Sequence, residues 1–87
     1  PVNLSEMNEV NFKIYPNPSQ GSISIHSDSE FNTIRVFNIQ GKELMLLDGI
    51  QNGSNIDLSR FENGSYIIQL QTKNGSFSKA KRFELIQ

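Results

Sequence analysis

The triplet Asn-Gly-Ser stands at Asn52, Asn63 and Asn74, each copy 11 residues after the one before. Asn-Gly is the strongest short-range turn signal, because both residues tolerate the left-handed backbone conformation that tight hairpins need. Between the first two copies Ile56 and Leu58 alternate around Asp57; between the second and third, Tyr66, Ile68 and Leu70 alternate with Ile67, Gln69 and Gln71. Period-two alternation is the mark of a strand with one face buried. Turns recurring at this spacing, with strands between them, point to an all-β sandwich or barrel.

The rest of the chain follows the same grammar. Phe12-Lys13-Ile14-Tyr15 reads as a short strand that stops at Pro16-Asn17-Pro18. Each proline fixes its own φ, lacks an N–H and pushes the residue before it out of the helical region. This segment is expected to cross the end of a sheet without pairing, and Gly21 to start the chain back. Residues 21–27 alternate, with Ile23 and Ile25 on one face and Ser22, Ser24 and His26 on the other; Asp28-Ser29-Glu30 is a polar turn. Residues 33–39 carry Ile34 and Val36 in one phase and Phe37 and Ile39 in the other, which suits a central strand or a bulge between Val36 and Phe37. Residues 38–42 turn the chain, with Gly41 in the positive-φ position. Residues 43–48 form a further strand, since Gly41 and Gly49 bracket too few residues for a helix; Met45 and Leu47 are expected in the core, a small outward apolar patch being the alternative. Residues 77–86 make the last strand, with Lys79 and Lys81 in the phase of Phe83 and Leu85. The expected fold is all-β, a seven-stranded immunoglobulin-like β-sandwich with little or no helix. Residues 1–10 read as a linker or leader and 11–87 as a single domain. The spacing of Leu4, Met7 and Val10 allows a helical turn, but no stop signal follows it.

Composition removes several function classes. At 87 residues the chain makes one domain with one modest core. A formal net charge of −1 argues against nucleic acid, whose phosphates need a basic surface. No run of about 18 apolar residues is present, so no span is expected, and residues 1–12 lack a signal peptide's basic start and apolar stretch. Pro1 reads as the start of a fragment cut from something longer. With no cysteine there is no disulfide, cysteine-held zinc or thiol nucleophile. The single histidine, His26, lies on a polar strand face; no Gly-x-Ser-x-Gly motif occurs, and the nine carboxylates are dispersed. An enzyme is not expected, nor a cofactor or metal. Asp28-Ser29-Glu30 falls short of the about six to eight oxygens that calcium takes. The triplets also match the N-glycosylation acceptor pattern, but turn chemistry explains them. Lys79, Lys81 and Arg82 form a basic cluster that serves either as edge-strand charges against aggregation or as a partner contact.

Several of these pieces, in order, resemble one family. Ile14-Tyr15-Pro16-Asn17-Pro18 with Gly21, then residues 34–42 ending in Gly41-Lys42, Ile56-Asp57-Leu58-Ser59, Asn63-Gly64-Ser65-Tyr66, and a basic final strand are similar to a type A C-terminal sorting domain of the type IX (Por) secretion system. The resemblance runs from about Val10 to the end. It implies a seven-stranded β-sandwich that directs a larger cargo protein across the outer membrane of a Gram-negative bacterium, after crossing the inner membrane with an ordinary signal peptide. It implies as partners an outer-membrane translocon, a shuttle protein and a sortase that cuts within or just before residues 1–11. The protein is then in the periplasm in transit and afterwards at the cell surface or outside the cell. The signal residues it implies are Tyr15, Pro16, Asn17, Pro18, Gly21, Gly41, Lys42, Gly64 and Tyr66, with Lys79, Lys81 and Arg82 as candidates for partner recognition. Leu85-Ile86-Gln87 departs from the terminal lysine of many members. The alternative function is a non-catalytic fibronectin-like or carbohydrate-binding accessory module of a secreted enzyme. Against it stand the lack of tryptophan and the inward orientation expected of Tyr15 and Tyr66. A monomer, or a weak dimer through an edge strand, is expected.

Overall fold

The computed structural model describes residues 11–87, so the leader at 1–10 and the helical turn considered there lie outside the described residues. Seven strands follow one another: β1 (Phe12–Tyr15), β2 (Ser22–Ser27), β3 (Thr33–Asn38), β4 (Glu43–Asp48), β5 (Asn55–Asp57), β6 (Gly64–Gln71) and β7 (Lys81–Leu85). They form two antiparallel sheets, ordered β1-β2-β5 and β4-β3-β6-β7. The described residues contain no helix. This is the expected all-β, immunoglobulin-like two-layer sandwich.

Alternation decides which side chains meet between the layers. Phe12, Ile23, Ile25 and Ile56 of the smaller sheet are buried against Ile34, Val36, Tyr66, Ile68, Leu70, Phe83 and Leu85 of the larger. Phe31 and Leu58, in the connections, join the same core, and Met45 and Leu47 pack against it. The outward-facing leucines of β4 are Leu44 and Leu46 instead. β3 is both things its mixed phase allowed: it lies between β4 and β6, and its register with β4 shifts between Val36 and Phe37. Met45 faces Val36 while Glu43 faces Phe37, so Leu44 is the extra residue of a bulge.

Three expectations need correction. The proline segment does pair: Ser19 forms a parallel bridge with Leu85. Tyr15 is 47% exposed rather than inward, because Phe12 and Ile14 take the inward phase of β1 and leave Tyr15 on the outer face, where its ring meets His26 edge-on at 5.4 Å. The last strand begins at Lys81, not Phe77. Ser78 occupies the ladder with its side chain, the hydroxyl accepting the Leu70 N–H at 2.8 Å, and three steps on β6 from Ile68 to Gln71 face four on the returning chain from Phe77 to Lys81. The three triplets turn the chain as expected, but only the Asn74 copy closes a hairpin within a sheet. The Asn52 and Asn63 triplets lie where the chain changes sheets, before β5 and before β6. Among the described residues no asparagine takes a positive φ; the glycines alone do.

Candidate functional site

The proline segment is laced to the end of β7. The peptide bonds before Pro16 and Pro18 are both cis. Asn17 turns its side-chain carbonyl to the edge of β7, where Oδ1 accepts the Glu84 N–H at 3.1 Å. Ser19 then donates its N–H to the Glu84 carbonyl and accepts the Ile86 N–H on its own carbonyl, both at 2.7 Å. These bonds cover the outer edge of the last strand, an edge that would otherwise offer unpaired backbone groups.

Ser19 is fully buried, and its hydroxyl is used twice: Oγ donates to the Ser22 carbonyl at 2.8 Å and accepts the Gly21 N–H at 3.2 Å. That closed turn requires φ +124° at Gly21, a region L side chains rarely adopt, and an added Cβ would sit 3.4 Å from Gln87 Oε1. The Gly21 carbonyl accepts the Leu58 N–H at 2.8 Å, tying the turn to the chain after β5.

The same end of the sandwich holds the other motif residues. Gly64 faces Leu85 and Tyr66 faces Phe83 across β6 and β7. The Tyr66 ring lies between Phe61 and Phe83, 5.8 Å from each centroid, and its hydroxyl donates to the Glu62 carbonyl at 2.5 Å. Asn63 Oδ1 accepts the Gln87 N–H at 2.9 Å, and Gln87 Nε2 donates to the Phe61 carbonyl at 2.8 Å. Asn38, opposite Tyr66 at the end of β3, builds the Gly41-Lys42 hairpin by accepting the Gln40 and Lys42 N–H groups on Oδ1 at 3.0 and 2.9 Å. Tyr15, Pro16, Asn17, Pro18, Gly21, Gly41, Lys42, Gly64 and Tyr66 therefore gather at one end.

The basic residues do not join them as a group. Lys81 faces Ile68 at the other end of β7, where Nζ donates to the Phe12 carbonyl and stands 5.0 Å from the Phe12 ring centroid. Arg82 bonds the Glu84 carboxylate at 3.2 Å and Ser65 Oγ at 2.8 Å. Lys79 falls between Ser78 and β7, outside the regular ladder. Sequence reasoning missed the roles of Ser19 and the backbone of residues 84–87, and read Asn63 only as a turn residue. The only available signal was the serine three residues ahead of Ser22 in a segment that must turn sharply.

Chemically the corner offers backbone amides, side-chain amides and a stack of aromatic rings. Among the described residues, no three His, Asp or Glu side chains cluster as metal ligands. No helix among them is long and apolar enough to cross a membrane.

Comparison with known proteins identifies this class of domain. Residues 13–83 match the family described as the secretion system C-terminal sorting domain. The match spans most of the chain, and the chain belongs to that family. It is a C-terminal sorting signal for type IX secretion, of a non-catalytic family, and it marks a secreted protein exported across the outer membrane through interaction with the secretion system. No curated protein matches the chain.

Proposed function

We propose that the secretion apparatus reads the corner formed by residues 16–21, Gly41-Lys42, residues 63–66 and the end of β7. The supporting observation is that the segment 17–19 and the backbone of Glu84 and Ile86 form one hydrogen-bonded unit, although they lie far apart in the chain. A machine that recognises this corner recognises a completed fold, because the unit exists only when both ends of the domain are in place. In this reading residues 11–87 are the signal domain and residues 1–10 carry or follow the cleavage region. Translocon, shuttle protein and sortase act on the domain in turn as the cargo passes from the periplasm to the cell surface, and the domain itself catalyses nothing.

The test is a reporter carrying a signal peptide and residues 1–87, expressed in a host with the secretion system. Asn17→Ala removes the acceptor for the Glu84 N–H at an exposed site, at an expected cost of about 1 kcal/mol in stability. The variant domain should remain folded while export of the reporter falls sharply. Export at the wild-type level by a folded Asn17→Ala domain would show that the corner is architecture and not address. A reporter that stays in the periplasm even with the unaltered domain would overturn the larger reading.

A further inference from the structure

The three Asn-Gly steps have the same local sequence but different surroundings. Intramolecular cyclisation at such a step needs the glycine nitrogen to reach the asparagine side-chain carbonyl carbon. At Asn52 both halves are tied to another strand. Oδ1 accepts the Ser27 N–H at 2.7 Å, Nδ2 donates to the Ser27 carbonyl at 3.1 Å, and the Gly53 N–H is bound to the Ile25 carbonyl at 2.9 Å. At Asn63, Oδ1 holds the Gln87 N–H, and Gly64 begins β6 opposite Leu85. Asn74 differs. Its side chain and the next N–H bond only within residues 72–76 of one exposed hairpin tip: Oδ1 accepts from the Thr72 hydroxyl and from the Ser76 N–H at 3.2 Å, and the Gly75 N–H meets the Thr72 carbonyl at 3.0 Å.

We propose that Asn74 is a site of spontaneous deamidation in the folded domain, and that the fold protects Asn52 and Asn63. The Gly75 nitrogen, losing its proton to solvent base, bonds to Cγ of Asn74. The Cγ–Nδ2 bond breaks, ammonia leaves, and a five-membered succinimide forms. Water then adds to either ring carbonyl and opens it to aspartate or isoaspartate. No oxidant or reductant takes part. The two donors on Oδ1 polarise the carbonyl and stabilise the negative charge that develops there, and the Asn74–Ser76 bond holds the side chain folded over its own backbone, close to the nucleophile. Opening this tip disturbs only local hydrogen bonds, whereas opening the other two steps detaches them from neighbouring strands. The tip lies beyond the end of β6 opposite Gly64, so the change leaves the signal corner intact.

Trypsin separates the three steps into peptides 43–60, 61–73 and 74–79, because it cuts after Lys42, Arg60, Lys73 and Lys79. Folded protein held at mildly alkaline pH should show the deamidation mass shift in 74–79 first, about tenfold faster than in the other two, as expected for extra hydrogen bonds that must break. Thr72→Val, which deletes one carbonyl donor, should slow Asn74. In denaturant the three rates should converge. A folded protein in which 43–60 or 61–73 shifts as fast overturns the proposal, as does an Asn74 lead that persists unchanged in denaturant or an unslowed Thr72→Val.

Discussion

Ser19 has no exposed surface, yet its N–H, its carbonyl and its hydroxyl all have partners. Two of these groups serve β7 and the third closes the turn at Gly21, so one small side chain joins the local bend to the long-range clamp. Ser19→Ala keeps the backbone bonds but leaves the Gly21 N–H buried without its acceptor, at a cost of about 1–3 kcal/mol. The urea midpoint should fall accordingly, while Ser29→Ala in the exposed turn should move it by no more than about 0.5 kcal/mol. Equal midpoints for the two variants would mean that the hydroxyl contributes nothing. Asp57, at the end of β5, gives the domain a pH response. The Ser59 hydroxyl first, and then the Ser59 N–H at 2.9 Å from Oδ1, hold its carboxyl below the usual carboxylate value; desolvation opposes them, and Arg60 adds the weakest pull. A depressed folded-state pKa stabilises fully above the unfolded-state value, and the gain fades as pH falls through the folded one. Unfolding of wild type and Asp57→Asn should therefore differ most near neutral pH and converge in acid. A gap that stays constant through the carboxylate range would contradict this assignment.

At the scale of elements, legibility in the sequence follows from how local the determinant is. β2 and β6 bury alternate residues, and a side-chain pattern of period two is written directly in the chain. The mixed phase of β3 likewise announced both its central place and its bulge partner. β7 was harder: the hydroxyl of Ser78 stands in for a backbone group, and a serine inside an apolar–polar run looks like an ordinary outward residue. The proline clamp was illegible for a different reason. Its bonds join the backbone of Ser19 to that of Glu84 and Ile86, and backbone pairing between distant segments leaves no side-chain periodicity to read. The Asn-Gly-Ser copies were read correctly as reversals, but their shared sequence did not show that each makes a different kind of turn. Asn52 uses its amide as a short false strand against Ser27, and Asn63 caps Gln87. The two outer strands of the larger sheet solve the edge problem separately: β7 is covered by the proline segment, and β4 is broken by the bulge at Leu44. Bulges and covering segments are the usual ways of blunting an edge. Those of this sheet come from within the domain, which fits a signal that must travel attached to a cargo without pairing with other chains.

Across the whole molecule the two sheets are fastened at both ends by different means. At the signal end, residues 17–21 carry the chain from β1 past β7 and back into β2, binding β7 and Leu58 on the way. At the other end Lys81 of the larger sheet reaches Phe12 of the smaller, donating to its carbonyl and lying over its ring. Asn11, whose carbonyl accepts the Asp28 N–H at 3.1 Å, sits at that second end, where residues 1–10 join the sandwich. On the proposed reading, export and cleavage are addressed at opposite ends of the sandwich, and Lys81 separates the two possibilities for the basic cluster. Lys81→Met keeps the hydrocarbon stem over Phe12 but loses the ammonium. A charge-assisted bond of this kind is worth about 1.5–3 kcal/mol when well shielded, and Lys81 is exposed enough that about 1 kcal/mol is the reasonable expectation. If the corner is the address, Lys81→Met should unfold more easily in urea yet export the reporter at the wild-type level at temperatures where it is folded, whereas Asn17→Ala, with a similar loss of stability, should not export it. Loss of export by a folded Lys81→Met domain would place recognition on the ammonium itself, since the variant leaves every bond of the proline clamp in place.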